Sequence, residues 1–191
     1  MAPLPLSFSA RDPERVARAL LGQLLVHVVD GTPRVGRIVE TEAYLGPHDL
    51  ACHASKGRTR RTEPMFGPAG HAYVYFVYGM HHCVNVVTGH GSAVLLRALE
   101  PVTEGLGRCD GPGRLTAALG LSLVHNTLPL DRAPLFLAEG TAVPARHVER
   151  TARIGVDYAK EWAKAPLRFF DRRSEHVSAA RSSARPRSRT R

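Results

Sequence analysis

Apolar and polar positions alternate along this chain with two different periods, and each change of period marks an element. Asp12-Pro13 opens a helical stretch through Leu21, with Asp12 as cap, Pro13 in the first turn and Gly22 as stop. LLVHVV (Leu24–Val29), a DGTP turn and RVGRIVETEAY (Arg34–Tyr44) then read as two antiparallel strands. From Leu45 to Gly70 no period is sustained, and Gly, Pro, His and Arg are abundant. So long a loop in a compact domain usually carries function. HAYVYFVYG (His71–Gly79), HHCVNVVT (His81–Thr88) and SAVLLRAL (Ser92–Leu99) form three more predicted strands. DGPGRLTAALGL opens a helix near Pro112, PLFLAEG adds a strand, and the remainder, ending in EWAKAPLRFF, mixes short pieces. Strands cluster without regular intervening helices. The expectation is an α+β single domain, a curved and mostly antiparallel sheet flanked by short helices. No internal repeat or interdomain linker interrupts it, so one domain is expected over residues 1–178, followed by a disordered basic tail at 179–191.

In RIVETEAY the alternation puts Glu40, Glu42 and Tyr44 on one face and Val39, Thr41 and Ala43 on the other. Same-face neighbours lie roughly 7 Å apart. Two acids in a strand otherwise built from Ile and Val are unusual, because strands disfavour Glu and burial makes it costly. The segment alone allows two readings, a solvated edge strand or a desolvated Glu of the kind a general base requires. YVYFVYG places Tyr73, Tyr75 and Val77 on one face, with Val74, Phe76 and Tyr78 on the other. Core packing accounts for most such aromatics. Yet four of the five tyrosines fall between Tyr44 and Tyr78, beside the basic loop KGRTRR, and aromatics near phosphate-binding cations suit base stacking.

Charge narrows the partners. The 191 residues carry 26 Lys+Arg against 17 Asp+Glu, a net +9. Five of those cations lie in RSSARPRSRTR, the last eleven residues, leaving 21 against 17 for the body. The tail is apolar-poor and free of acids, a composition that does not order itself. Only Lys56, Lys160 and Lys164 are lysines, so few amines are available as nucleophiles, whereas arginine binds phosphate bidentately. With 43% apolar residues a core can form without staples. Three cysteines are too few for a disulfide framework and fit a reducing compartment. No apolar run approaches a membrane span, and MAPLPLSFSARDPER lacks the marks of a signal peptide. A secreted mini-protein and an integral membrane protein are both disfavoured. Cys52-His53, His81-His82-Cys83 and Cys109 match no zinc spacing, so no metal site is expected. Gly111-Pro112-Gly113 before a helix reads either as a phosphate cradle or as a plain turn.

The strings carry more than their periods. VGRIVETEAYLGPHDLACHASKGRTRRTEPMFGPAGHAYVYFVYGMHHCVNVV, followed by AVLLRALEP, GPGRLTAALG, RIGV and EWAKAPLRFF, resembles the alkyladenine (3-methyladenine) DNA glycosylase family over about residues 10–178. The resemblance implies an enzyme that flips a damaged purine out of duplex DNA and hydrolyses its N-glycosidic bond, leaving an abasic site. It implies no cofactor, double-stranded DNA with damaged purines as partner, no membrane, a monomer, and a cytoplasmic, nucleoid-associated location in a bacterium. Glu42 in ETEAY matches the family's water-activating base, and Arg97 in LLRALEP matches a ligand of Glu42. Tyr44, His53 and Tyr75 match the base-stacking pocket, and Asn85 the residue that crowds the amino group of undamaged guanine. Tyr78 and Met80 in YGM match the wedge that fills the gap in the helix, and Ile154 in RIGV lies near the catalytic water.

These implied roles are physically coherent. A wedge offsets an unstacking cost of a few kcal/mol, and electron-rich rings bind cationic alkylpurines. An anionic Glu42 suits the oxocarbenium character that develops on the sugar. The only lysine in the long block is Lys56, in a loop, which points to hydrolysis without strand cleavage. The loop TRRTE departs from the family's usual TPRNE, putting Arg60 and Thr62 at the proline and asparagine positions. Thr62 is expected to loosen a loop hydrogen bond, and His82 stands where an aromatic is common. These departures bear on affinity and substrate range. Two other classes remain open: a non-catalytic nucleic-acid-binding module of the related fold, and a carbohydrate hydrolase using Glu40 and Glu42, which the basic surface disfavours.

Overall fold

The computed structural model describes residues 1–77 and 79–178. Helix α1 (Pro13–Leu20) begins where Asp12 accepts the amides of Glu14 and Arg15 at 3.0 and 3.1 Å, a side-chain cap for two otherwise orphaned donors. It ends one residue earlier than the pattern predicts. Its buried stripe of Val16, Ala17 and Leu20 lies against the sheet. Strands β1 (Leu24–Val29) and β2 (Thr32–Tyr44) follow, then β3 (Ala72–Val77), β4 (His81–Gly89) and β5 (Ser92–Pro101). Helix α2 (Pro112–Leu119) closes at Gly120 in the left-handed region, φ +76°, where glycine pays no steric cost. Short strands β6 (Asp131–Arg132), β7 (Leu135–Ala138), β8 (Val148–Thr151) and β9 (Arg168–Asp171) complete the set.

All these strands join one antiparallel sheet, in the order β3-β4-β5-β2-β1-β7-β6, with β9 on β2 and β8 on β9. The sheet curls as a half-barrel, and the fold is α+β. The loop at 45–70 contains two 3-10 turns, His53–Lys56 and Glu63–Phe66. The terminal mixture resolves into β8, a kinked 3-10 stretch at Asp157–Lys164, and β9.

β2 organises the molecule. One edge pairs with β5 from Gly36 to Tyr44, while the other pairs with β1 over Thr32–Arg37 and with β9 over Glu40–Glu42. The solvated-edge reading of the two acids therefore fails, because β2 is flanked on both sides at both positions. Opposite β5 the register slips at Glu40 and recovers at Thr41.

The two faces of the sheet differ. One carries the main aliphatic core, where Ile38, Val84, Val86, Leu96 and Leu99 pack with the buried sides of α1 and α2. Thr41 adds a hydroxyl bond to the Ala17 carbonyl at 2.9 Å, fastening α1 to β2. The other face is covered by the 45–70 loop, through Cys52, Ala54 and Met65 against Tyr73, Val87 and Ala93, with Tyr44 and Tyr75 at the margin. The Gly91 amide donates to the Met65 carbonyl at 3.1 Å and fixes that cover. The long loop is a packed wall.

Candidate active site

Glu42 lies at the end of β2 on the loop-covered face and is fully buried. Three donors reach its carboxylate. Arg97 on β5 approaches Oε1 at 3.3 Å, the Ile154 amide donates to the same oxygen at 2.7 Å, and the Tyr44 hydroxyl donates to Oε2 at 2.9 Å. Burial, and then Glu42, push the Tyr44 phenol well above its ordinary value, so it stays protonated and donating. Burial works against the Arg97 charge, but Glu42 and Glu40 outweigh it and hold the guanidinium protonated more firmly than usual. A carboxylate offers roughly four lone-pair positions, so three donors leave room for one further partner such as water.

Glu40, two residues back and also fully buried, is held differently. Arg97 Nε and Arg168 Nε donate to its Oε1 at 3.1 and 2.5 Å, and Ser178 gives it two more donors. Arg97 thus bridges both acids.

The aromatic groups stand beside Glu42. The rings of His53 and Tyr75 meet edge-on with centroids 4.6 Å apart, and His53 Nδ1 lies 3.0 Å from the Tyr73 hydroxyl. Burial lowers the His53 imidazole to about 4, with the Arg61 and Lys56 charges adding to the effect, so His53 is neutral at pH 7. Burial likewise raises the Tyr75 phenol. Asn85 on β4 is buried opposite Tyr73 and donates to the Tyr73 carbonyl at 3.0 Å. Of the expected wedge, Tyr78 lies outside the described residues, while Met80 is 70% exposed at the turn between β3 and β4. Phe76 on β3 is exposed beside it and meets His82 at 4.9 Å. A groove of about 900 Å³ lined by Arg11, Arg58, Phe66 and Ser92 lies elsewhere, with none of Glu42, Tyr44, His53 or Tyr75 in its wall.

Residues 7–175 match the family model for methylpurine-DNA glycosylase. The chain belongs to that family. A Myxococcus xanthus (strain DK1622) protein named "Putative 3-methyladenine DNA glycosylase" is 62% identical over 181 residues, covering 92% of this chain and 93% of its own. A Legionella pneumophila (strain Lens) protein of the same name is 50% identical over 181 residues, covering 93% and 99%. In this methylpurine-DNA glycosylase family member, no helix among the described residues is long and apolar enough to cross a membrane.

Sequence reading missed the support behind Glu42. Asp49 and Arg153 form a fully buried, two-pronged pair at 2.5 and 2.9 Å. Arg153 also donates to the Ala43 carbonyl at 3.0 Å and lies over the Tyr44 ring at 4.7 Å. The pair therefore locks the residue next to Ile154, whose amide meets Glu42. One signal was present: Asp49 is an acid inside a loop otherwise rich in cations. Arg168 and Ser178 were missed too.

The expectation for Thr62 is corrected. It is 5% exposed, its hydroxyl donates to the Gly57 carbonyl at 2.8 Å, and it accepts the Thr59 amide at 2.8 Å. A short hydroxyl side chain closes this turn on itself, so the loop is tied rather than loosened. The cations around it, Lys56, Arg58, Arg60 and Arg61, stay exposed.

Proposed function

We propose that this chain is a base-excision repair enzyme that extrudes alkylated purines of the 3-methyladenine type from duplex DNA and hydrolyses their N-glycosidic bond. The observation that carries this reading is a buried Glu42 held by an arginine, an amide and a phenol at the foot of an aromatic wall. Family membership and the relatives' names support the same substrate class.

In this reading Tyr44, His53 and Tyr75 receive the extruded base. A cationic alkylpurine gains from electron-rich ring faces, and a neutral His53 adds no repelling charge. Asn85 crowds an undamaged guanine. Glu42 orients a water at its remaining lone pair, accepts its proton as the bond to the sugar breaks, and offsets the oxocarbenium charge. Arg97 and the Ile154 amide keep the carboxylate aimed. Tyr78 and Met80 fill the gap in the duplex, and the exposed Lys56–Arg61 cations meet phosphates. Water being the nucleophile, the product is an abasic site without strand cleavage.

The test is duplex DNA holding one 3-methyladenine, hypoxanthine or ethenoadenine, incubated with the protein and divided before alkali treatment. Breakage only after alkali supports a monofunctional glycosylase. Binding without base release from any lesion would refute it in favour of a binding module.

A further inference from the structure

Ser178 lies beyond the residues matched by the family model, which end at 175, yet it is buried against the centre of the site at 6% exposure. Every polar group it carries is used. Its amide donates to Glu40 Oε2 at 2.6 Å and its hydroxyl donates to Glu40 Oε1 at 2.9 Å. The same hydroxyl oxygen accepts Arg97 Nη2 at 3.4 Å, and the Ser178 carbonyl accepts Arg168 Nη2 at 3.2 Å.

We propose that Ser178 is a positioning residue for the excision reaction, setting the orientation in which Arg97 reaches Glu42. This rests on the function proposed above. The guanidinium is a rigid planar fork, and its three nitrogens have three different partners: Nε meets Glu40, Nη1 meets Glu42 and Nη2 meets Ser178. An arginine beside a carboxylate ordinarily favours a two-pronged grip on both oxygens. Here the Ser178 hydroxyl takes Nη2 in place of the second oxygen of Glu40, and Nη1 is left directed at Glu42. Without the hydroxyl, Nη2 is left unpaired in a buried setting, and the fork is free to rotate toward Glu40 and away from the catalytic carboxylate.

Ser178→Ala removes the hydroxyl and keeps both backbone bonds, so it separates orientation from chain anchoring. The expected result is a five- to tenfold fall in single-turnover excision, about the weight of one buried hydrogen bond, with lesion-duplex affinity in a gel shift within about twofold of wild type. Ser178→Thr, which keeps the hydroxyl, should recover most of the rate. If Ser178→Ala melts below the assay temperature, the near-isosteric Ser178→Cys carries the same comparison with a weaker donor. Full-rate excision by Ser178→Ala or by Ser178→Cys, or a loss shared equally by rate and affinity that Thr does not restore, overturns the positioning role. A wild-type protein that releases no base overturns the proposed function instead, so the two failures are distinguishable.

Discussion

Glu40 and Glu42 stand on one face of one strand, are equally buried and share the same arginine, yet they occupy different chemical situations. Glu40 has four donors, two of them from arginines and two from Ser178. Glu42 has three donors, one from an arginine, and an aromatic wall beside it. Glu40 is clasped between two arginines and Ser178, with three donors crowded on one oxygen, whereas Glu42 meets a single arginine and sits against the aromatic rings. The comparison teaches that burial and charge do not assign a catalytic role. In the reading proposed above, what each carboxylate faces separates the two.

The sharpest way to break the comparison is to exchange the two acids' fates by mutation. Glu42→Gln should cut single-turnover excision by about 10²–10⁴-fold, the usual weight of a general base, while gel-shift affinity for the same lesion duplex stays near wild type. Wild-type rates in that variant would take Glu42 out of the chemistry. Next in size is Arg153→Lys. A lysine keeps the charge but cannot bridge both oxygens of Asp49, so the Ile154 amide loses its register with Glu42. Excision should drop about ten- to a hundredfold, and a rate equal to wild type would show that the pair serves only stability.

Glu40→Gln should reverse the emphasis. Removing one charge from a buried network with Arg97 and Arg168 should cost about 3–5 kcal/mol of stability, read by denaturant titration. Excision per folded molecule should fall only about tenfold, milder than at Glu42. A deeper loss at Glu40 than at Glu42 would invert the assignment.

How far this contrast was legible in the sequence depends on the distance between partners along the chain. The Asp12 cap, Pro112 at the start of α2, the β-strand alternation and the shared face of Glu40, Glu42 and Tyr44 are local, and local spacing displays them. Burial of the two acids is not local, because alternation is identical in edge and central strands. The strand that covers them, β9, arrives more than 120 residues later. The same holds for Asp49 with Arg153 and for Glu40 with Ser178, pairs created by the fold alone. The identities of the site residues came from family resemblance, and the geometry then showed which of them meet.

The smallest expected effect concerns the chain end. Residues 179–191 lie outside the described residues, and their charge alone bears on their role. Deleting 181–191 removes five arginines and leaves Ser178 within a peptide bond, away from a new terminal carboxylate. Single-turnover excision should be unchanged, and the dependence of DNA affinity on salt should become shallower through lost counterion release. An unaltered salt slope would show that the tail makes no phosphate contacts.

The slip between β2 and β5 has a consequence for tolerance to length changes. Ile38 faces Leu99 and Thr41 faces Leu96, so the strands enter and leave the irregularity in the same register, and only the Glu40 position is displaced. Across the opposite edge, Glu40–Glu42 run in unbroken register with Phe170–Arg168. Ile38 and Thr41, three residues apart, both face the aliphatic core, so the irregularity switches the alternation and sets Glu42 on the face opposite Ile38. A single-residue deletion between Ile38 and Thr41 would leave β2 one residue short of β5 across this stretch, pulling either Ile38 out of register with Leu99 or Glu42 out of register with Leu95. The short stretch of backbone that holds the acids should therefore accept changes of side chain far more readily than any change of length.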